Sequence, residues 1–206
     1  MSFLHYFSRD AELRAKFIFN LIAPIYRKVD KYLNNSFDDA INKLDKEINI
    51  KGKSVLDIGT GTGAWIIKFG EKGAVNLTGI DFSKNMLKQS KKKNLNINFI
   101  LGDGENLHQF ADNSFDIVTA SFVLHGVNKQ IREKILNEML RVSSRFVVFQ
   151  DFYGKTPFFL SILEFLERSD YKNFRKKFKS ELKEKTVNQK IINLNYGTAL
   201  YIAEKK

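Results

Sequence analysis

The chain has 206 residues, a formal net charge of +11 and no cysteine. That length holds one well-buried domain with room for a small appendage. The missing cysteines exclude disulfides, thiolate metal sites and a cysteine nucleophile.

The basic balance has two readings. Lys, Asn and Ile are abundant throughout while proline occurs only twice, the pattern that codon bias in an AT-rich genome produces. An anionic partner, nucleic acid included, is the alternative and is not favoured. The start, MSFLHYFSRD, has no basic flank ahead of a long apolar run. The longest apolar stretch, Pro157 to Leu166, is interrupted by Ser161 and Glu164. It falls short of the about 20 residues a membrane span needs. The expectation is a cytoplasmic protein with no transmembrane segment.

In chain order, Ala11 to Leu33 reads as one or two helices, broken or restarted at Pro24. Phe37, Ile41, Leu44 and Ile48 form a further apolar stripe at helical spacing. From Ser54 the pattern becomes strand–helix alternation. Strands are expected at Ser54–Ile58, Val75–Ile80, Ile97–Leu101, Phe115–Thr119 and Phe146–Gln150. Helices are expected at Ser83–Lys93, opening on a Ser83 cap, and at Gln130–Val142. This alternation argues an α/β, doubly wound parallel sheet. After a helical region from Phe158 to Lys185 come two more strand-like runs, Val187–Leu194 and Thr198–Ala203. Turn residues Asn195 and Gly197 make them an antiparallel hairpin. Residues 1–50 are expected to form an N-terminal helical cap or lid. Residues 51–206 are expected to form the ligand-binding domain, with a helical insertion at about 157–185.

The most informative stretch is VLDIGTGTG, Val55 to Gly63, a strand running into a glycine-rich turn. Glycines there let the backbone approach a ligand and fold sharply into a helix. Gly59, Gly61 and Ala64 satisfy the dinucleotide pattern GxGxxG/A. The run Gly59, Gly61, Gly63 behind Asp57 equally fits an acidic-GxGxG pattern. Asp57 separates the two. A pyrophosphate laid on this turn would be repelled by the carboxylate, whereas the sulfonium and ammonium of S-adenosylmethionine would be attracted. Asp81, about 20 residues on, stands where an acidic residue holds ribose hydroxyls in either cofactor. GDGENL, Gly102 to Leu107, follows the third strand and offers the Asp103 carboxylate to an adenine amino group, with Gly104 allowing close backbone approach. FDIVTASFVLHGV brings the end of the fourth strand, Ala120 to Leu124 and so Ser121, to the ligand crevice.

With these four elements in order, the chain resembles the class I S-adenosylmethionine-dependent methyltransferases, and more closely their small-molecule type 11, UbiE-like group. The resemblance implies a seven-stranded Rossmann-like sheet closed by a reversed hairpin. It implies Asp57, Gly59, Thr60 and Gly61 around the methionine part and Asp81 on the ribose. Phe82 and Met86 would flank the adenine, with Asp103, Gly104 and Glu105 on its amino edge and Ser121 lining the crevice. IAPIYRKVDKYLN, from Ile22, is similar to the group's opening motif, in which a tyrosine matching Tyr26 sits over the cofactor. Arg27 replaces the usual aspartate there.

The implied activity is methyl transfer from S-adenosylmethionine to a small-molecule acceptor, leaving S-adenosylhomocysteine. In-line displacement at a sulfonium carbon is driven largely by alignment, so no catalytic triad is required. Candidate bases are few: His125 after the fourth strand and Tyr153 after the fifth, with Asp151 beside it in a loop. No metal spacing of HxxxH or HExxH type is present. The YxxxK of Tyr201 and Lys205 falls in a strand and reads as chance. The alternatives are an RNA or protein methyltransferase docking through the basic helices, a non-catalytic S-adenosylmethionine-binding module and, more distantly, an NAD-dependent reductase.

Overall fold

The computed structural model describes residues 36–93, 96–154 and 170–206. The expected helices of Ala11 to Leu33, Tyr26 among them, and the first part of the expected insertion, residues 155–169, lie outside the described residues.

Helix α1 (residues 36–48) comes first, then β1 (Ser54–Ile58), α2 (Ala64–Glu71), β2 (Val75–Asp81), α3 (Lys84–Lys93) and β3 (Asn98–Leu101). β4 (Phe115–Ser121), α4 (Lys129–Val142) and β5 (Ser143–Phe152) follow, then α5 (Tyr171–Lys185), β6 (Thr186–Asn193) and β7 (Thr198–Lys205). The strands form one seven-stranded sheet in the order β3-β2-β1-β4-β5-β7-β6. Strands β1 to β5 pair in parallel; β7 runs antiparallel between β5 and β6. The expected doubly wound sheet with a reversed terminal hairpin is the observed one.

Alternation along each strand assigns its two faces. Val55, Ile117, Val148, Leu200 and Ile202 pack on Phe37, Ile41 and Leu44 of α1 and on Trp65 and Phe69 of α2. Leu56, Ile58, Val118, Val147 and Phe149 pack on Ile135 and Met139 of α4 and on Phe174, Phe178 and Leu182 of α5. The apolar stripe read from Phe37 to Leu44 is therefore part of the domain's own core.

Local chemistry sets the helix starts. The Asn128 side chain accepts from the Ile131 amide at 3.0 Å and caps α4. The Ser83 hydroxyl accepts from the Met86 amide at 3.4 Å, a long version of the expected cap. Helix α2 begins at Gly63, where φ is +80° and a Cβ would lie 2.9 Å from the Phe99 ring. Only glycine combines that left-handed conformation with such close helix–strand packing.

Strand order reverses between β1 and β4. In an open α/β sheet, the crevice at the carboxyl ends of such a pair is where ligands bind.

Candidate cofactor and acceptor site

The crevice floor is built from the strand ends. β1 ends on Asp57 and Ile58; Asp57 pairs with Thr119 of β4 and Gly79 of β2. Ser121, at the end of β4, pairs with Gln150 of β5. Asp57, Thr119, Ser121 and Gln150 share the α1/α2 face of the sheet. The Trp65 indole donates to the Thr119 hydroxyl at 2.9 Å, which satisfies one of these groups. Others have no partner within the described residues. Both oxygens of Asp57, the Thr60 and Ser121 hydroxyls and the Gln150 side-chain oxygen Oε1 are buried without a hydrogen bond.

Such a concentration of unsatisfied polar atoms is costly unless a ligand completes it. It fits the methionine part of S-adenosylmethionine, whose ammonium and sulfonium need anionic and hydrogen-bond-accepting neighbours. Asp57 is 1% exposed. Burial, foremost, pushes its carboxyl up from 3.8 to about 8. The Thr60 hydroxyl offsets part of this from nearby, short of hydrogen-bond geometry, and the Asp81 charge adds to it. A bound cation would reverse the shift.

The glycine turn is held open by its neighbours. Gly59 and Gly61 have φ of +67° and +54°. The Thr60 amide donates to the Ile80 carbonyl at 3.0 Å. Asp81 Oδ2 accepts from the Gly61 amide at 2.8 Å, and its Oδ1 from the Ser83 amide at 2.8 Å. Each carboxylate oxygen keeps a second lone pair for a ribose hydroxyl. Phe82 beside it is 77% exposed, an apolar plate at the carboxyl end of β2. Met86 is half-buried one helical turn away.

The GDGENL segment is a tight turn. Asp103 bridges to Asn106, and its Oδ1 accepts from the Glu105 amide at 3.0 Å, with the side chain still exposed. The segment is fastened to α4. Glu138 accepts from the Leu107 amide at 2.7 Å, and Arg141 donates to the Leu107 and Phe110 carbonyls at 3.0 Å each. Two residues of this turn also have partners within the domain. The Glu105 carboxylate pairs with Lys134 of α4 at 3.1 Å. Gly104 leaves room for Ile58, whose Cγ2 would be 2.6 Å from an added Cβ, so interior packing accounts for this glycine.

Beyond β4 the chain turns sharply. Phe122 has φ of +54°, a strained conformation for a bulky residue, and its amide donates to the Gln150 backbone carbonyl at 2.9 Å. Val123 then covers the Gly59 turn, and the chain makes a single 3₁₀ turn at Leu124–Gly126. His125 in that turn is 7% exposed and meets Asp151 of β5 at 2.7 Å. Asp151 is a strand residue, 1% exposed, and so corrects the loop placement expected from sequence. Tyr153 leaves β5 half-buried, its ring edge-on to Tyr201. Tyr201 donates to the Phe152 carbonyl at 2.8 Å, and Lys205 to the Asn113 side chain, so the YxxxK pair is divided between separate partners. The sequence did not reveal the orphaned Gln150, the left-handed Phe122 or the His125–Asp151 pairing. Only the polar residues near strand ends hinted at them.

The residues present fit S-adenosylmethionine, and the sheet order and crevice are those of the class I S-adenosylmethionine-dependent methyltransferase fold. Residues 55–145 match a family model described as a methyltransferase domain. Proteins of the UbiE-like group are among the relatives this chain resembles. It is 37% identical over 131 residues to the demethylmenaquinone methyltransferase of Paenarthrobacter aurescens, covering 61% of this chain and 49% of that protein. It is 36% identical over 139 residues to the ubiquinone/menaquinone biosynthesis C-methyltransferase UbiE of Haemophilus ducreyi, covering 59% and 52%. The matches thus span about half the length of these relatives. A Thermotoga maritima protein described as a "SAM-dependent methyltransferase, possible histamine N-methyltransferase" shares the fold with a TM-score of 0.68 at 18% identity, covering 92% of this chain and 99% of that one. Magnesium protoporphyrin IX methyltransferase of Synechocystis, solved with S-adenosylhomocysteine, superposes with a TM-score of 0.62 at 18% identity over 84% of this chain and 83% of that one. Among the described residues no helix is long and apolar enough to cross a membrane.

Proposed function

We propose that this protein transfers a methyl group from S-adenosylmethionine to a small-molecule acceptor by in-line displacement. The observation that carries this reading is the buried, unpartnered Asp57 carboxylate beneath a glycine turn that Asp81 pins open. The cofactor supplies an activated methyl. The protein's own part is to bind and orient it: Asp57 faces the cationic methionine end, Asp81 the ribose, Phe82 and Met86 the adenine ring, and Asp103 its amino group. Gly59, Thr60 and Gly61 form the turn against which it lies, and Ser121 lines the floor. Placing the methyl carbon in a dry crevice against an aligned nucleophile provides much of the rate.

The N-terminal cap, residues 1–50, and the insertion at about 157–185 are proposed to cover the acceptor side. Their described parts support this. The hydroxyl of Ser36 in helix α1 accepts from the Gln150 side-chain amide at 2.7 Å on the crevice floor. Helix α5 packs against His125 and Phe152 through Phe174 and Tyr171.

Calorimetry with S-adenosylmethionine and S-adenosylhomocysteine tests the cofactor assignment, with NADPH as control and Asp81→Ala as the site variant. Micromolar binding of the first two, lost in the variant, is expected. Binding of NADPH instead would overturn the reading.

A further inference from the structure

Helix α5 buries one side and leaves the other in water. Tyr171, Phe174, Phe178 and Leu182 turn inward onto the sheet, at the spacing of one helical face. On the outer side stand Lys172, Lys176, Lys179 and Lys183, all exposed. Their offsets of four, three and four positions set them in one row along the helix. At a rise of about 1.5 Å per residue, the row is about 16 Å long.

Like charges at these spacings repel one another and weaken a helix. On α4 such charge is relieved, because every basic side chain there meets a carboxylate. Lys129 meets Glu133 at 3.4 Å, Arg132 meets Glu181 at 2.9 Å, Lys134 meets Glu105 at 3.1 Å and Arg141 meets Glu138 at 2.8 Å. Among the described residues, no lysine of the α5 row has an ion pair. Of the helix's own acids, Glu181 is taken by Arg132. Glu184 follows Lys183 directly and so lies about 100° round the helix from it. Codon bias accounts for the number of lysines but not for this alignment. The row is also held rigid, since Arg132 ties α5 to α4 through Glu181 and Asp170.

A row of ammonium groups calls for an extended anion. Single-stranded nucleic acid is held by stacking its bases on exposed aromatic rings, and Tyr171, Phe174 and Phe178 of α5 are all buried. A straight row on a convex helix instead presents its charges together to a flat surface. We propose that the outer face of α5 docks this protein on an anionic membrane surface, with Lys172, Lys176, Lys179 and Lys183 against the lipid phosphates. The helix lies along the headgroups, outside the hydrocarbon, and carries no exposed large apolar side chain to insert. Attachment is therefore electrostatic and reversible, and each lysine near the surface is worth about a fivefold gain in partitioning.

Cosedimentation of the full chain with vesicles tests this. One set is phosphatidylglycerol and phosphatidylcholine in equal parts, the other phosphatidylcholine alone, both in about 0.1 M salt, where charges are screened beyond about 10 Å. Binding to the anionic set alone is expected, and it should fall steeply as salt is raised. The variant Lys172→Gln, Lys176→Gln, Lys179→Gln, Lys183→Gln keeps helix propensity and should lower the partition coefficient by about 100-fold or more. Its Tm should not fall, because the repulsion along the row is gone. A charge-matched variant replaces Lys51 with Gln, together with exposed Lys84, Lys88 and Lys91 of α3, which packs on the other face of the sheet. It should lower binding by less than about fivefold, since its charges lie beyond the screening length from the α5 row. Equal loss in the two variants would assign binding to net charge and overturn the proposal, as would no binding to anionic vesicles. Tighter binding of oligouridylate than of vesicles, lost in the α5 variant, would give this face to nucleic acid instead. None of these readouts needs cofactor, so the methyltransferase reading stands or falls apart from them.

Discussion

The Asp81 carboxylate accepts the Gly61 amide at 2.8 Å, so the end of β2 holds the cofactor turn that leaves β1. Asp81 therefore has a structural task besides any contact with ribose. Removing it in Asp81→Ala abandons two amides bonded to a charged acceptor, and such bonds are worth about 1.5–3 kcal/mol each. The expected outcome is a Tm lower by several degrees as well as a cofactor affinity reduced by about 100-fold or more. Thermal melts beside calorimetry check both. An unchanged Tm would show that the turn holds itself open.

Asp57 gives a pH dependence with a definite sign. Its carboxyl ionises at about 8 in the folded protein without cofactor and at about 4 when unfolded. Stability from this group is full below about pH 4 and is lost progressively as pH rises to about 8. A cationic ligand favours the ionised form, so binding at pH 6.5 should release close to one proton. Calorimetry in buffers of different ionisation heat measures that number, and Asp57→Asn should reduce it to near zero. The same variant should melt higher than the unsubstituted protein at pH 8, by about 5 °C or more, while binding the cofactor more weakly.

Phe82 is an apolar side chain left largely in water, which packing within the domain does not explain. Phe82→Ala should weaken S-adenosylhomocysteine binding by about tenfold, since stacking on an aromatic face contributes roughly 1–3 kcal/mol per base. Its Tm should stay within about 1 °C. A clear loss of stability with unchanged affinity would assign Phe82 to packing instead.

Arg132 is fully buried and joins α4 to α5. It donates to Glu181 at 2.9 Å and to Asp170 at 3.1 Å, with the Phe174 ring 5.6 Å from its guanidinium carbon. Burial works against the charge, yet Glu181 and Asp170 together hold the guanidinium above its ordinary value. Glu181→Gln should cost about 2–4 kcal/mol in denaturant unfolding, because it leaves a buried cation half paired. A cost below about 0.5 kcal/mol would show that Asp170 and the Val127 carbonyl, which accepts from the guanidinium at 3.0 Å, suffice.

Much of this architecture was legible because each strand is a short apolar run ended by a polar or glycine residue. Val55–Ile58 and Ile117–Ala120 announce themselves in that way. The cofactor turn was legible from Asp57 and its glycines, whose spacing is local. What escaped was set by tertiary contact. Gly104 reads as a ligand approach, and the facing Ile58 methyl gives it a packing role that no local pattern shows. Asp151 looked like a loop residue because β5 runs two residues past the expected strand end at Gln150. Its pairing with His125 joins positions that no local pattern connects.

The hairpin at the end of the sheet sets an order of assembly. Strand β6 meets the sheet only through β7, which is made after it and must then insert between β6 and β5. β1 to β5 can align without it, whereas β6 waits for β7 with both edges unpaired and Val187 in water. A chain in which β7 has not yet inserted is therefore the form of this protein most exposed to chaperones and to its own neighbours.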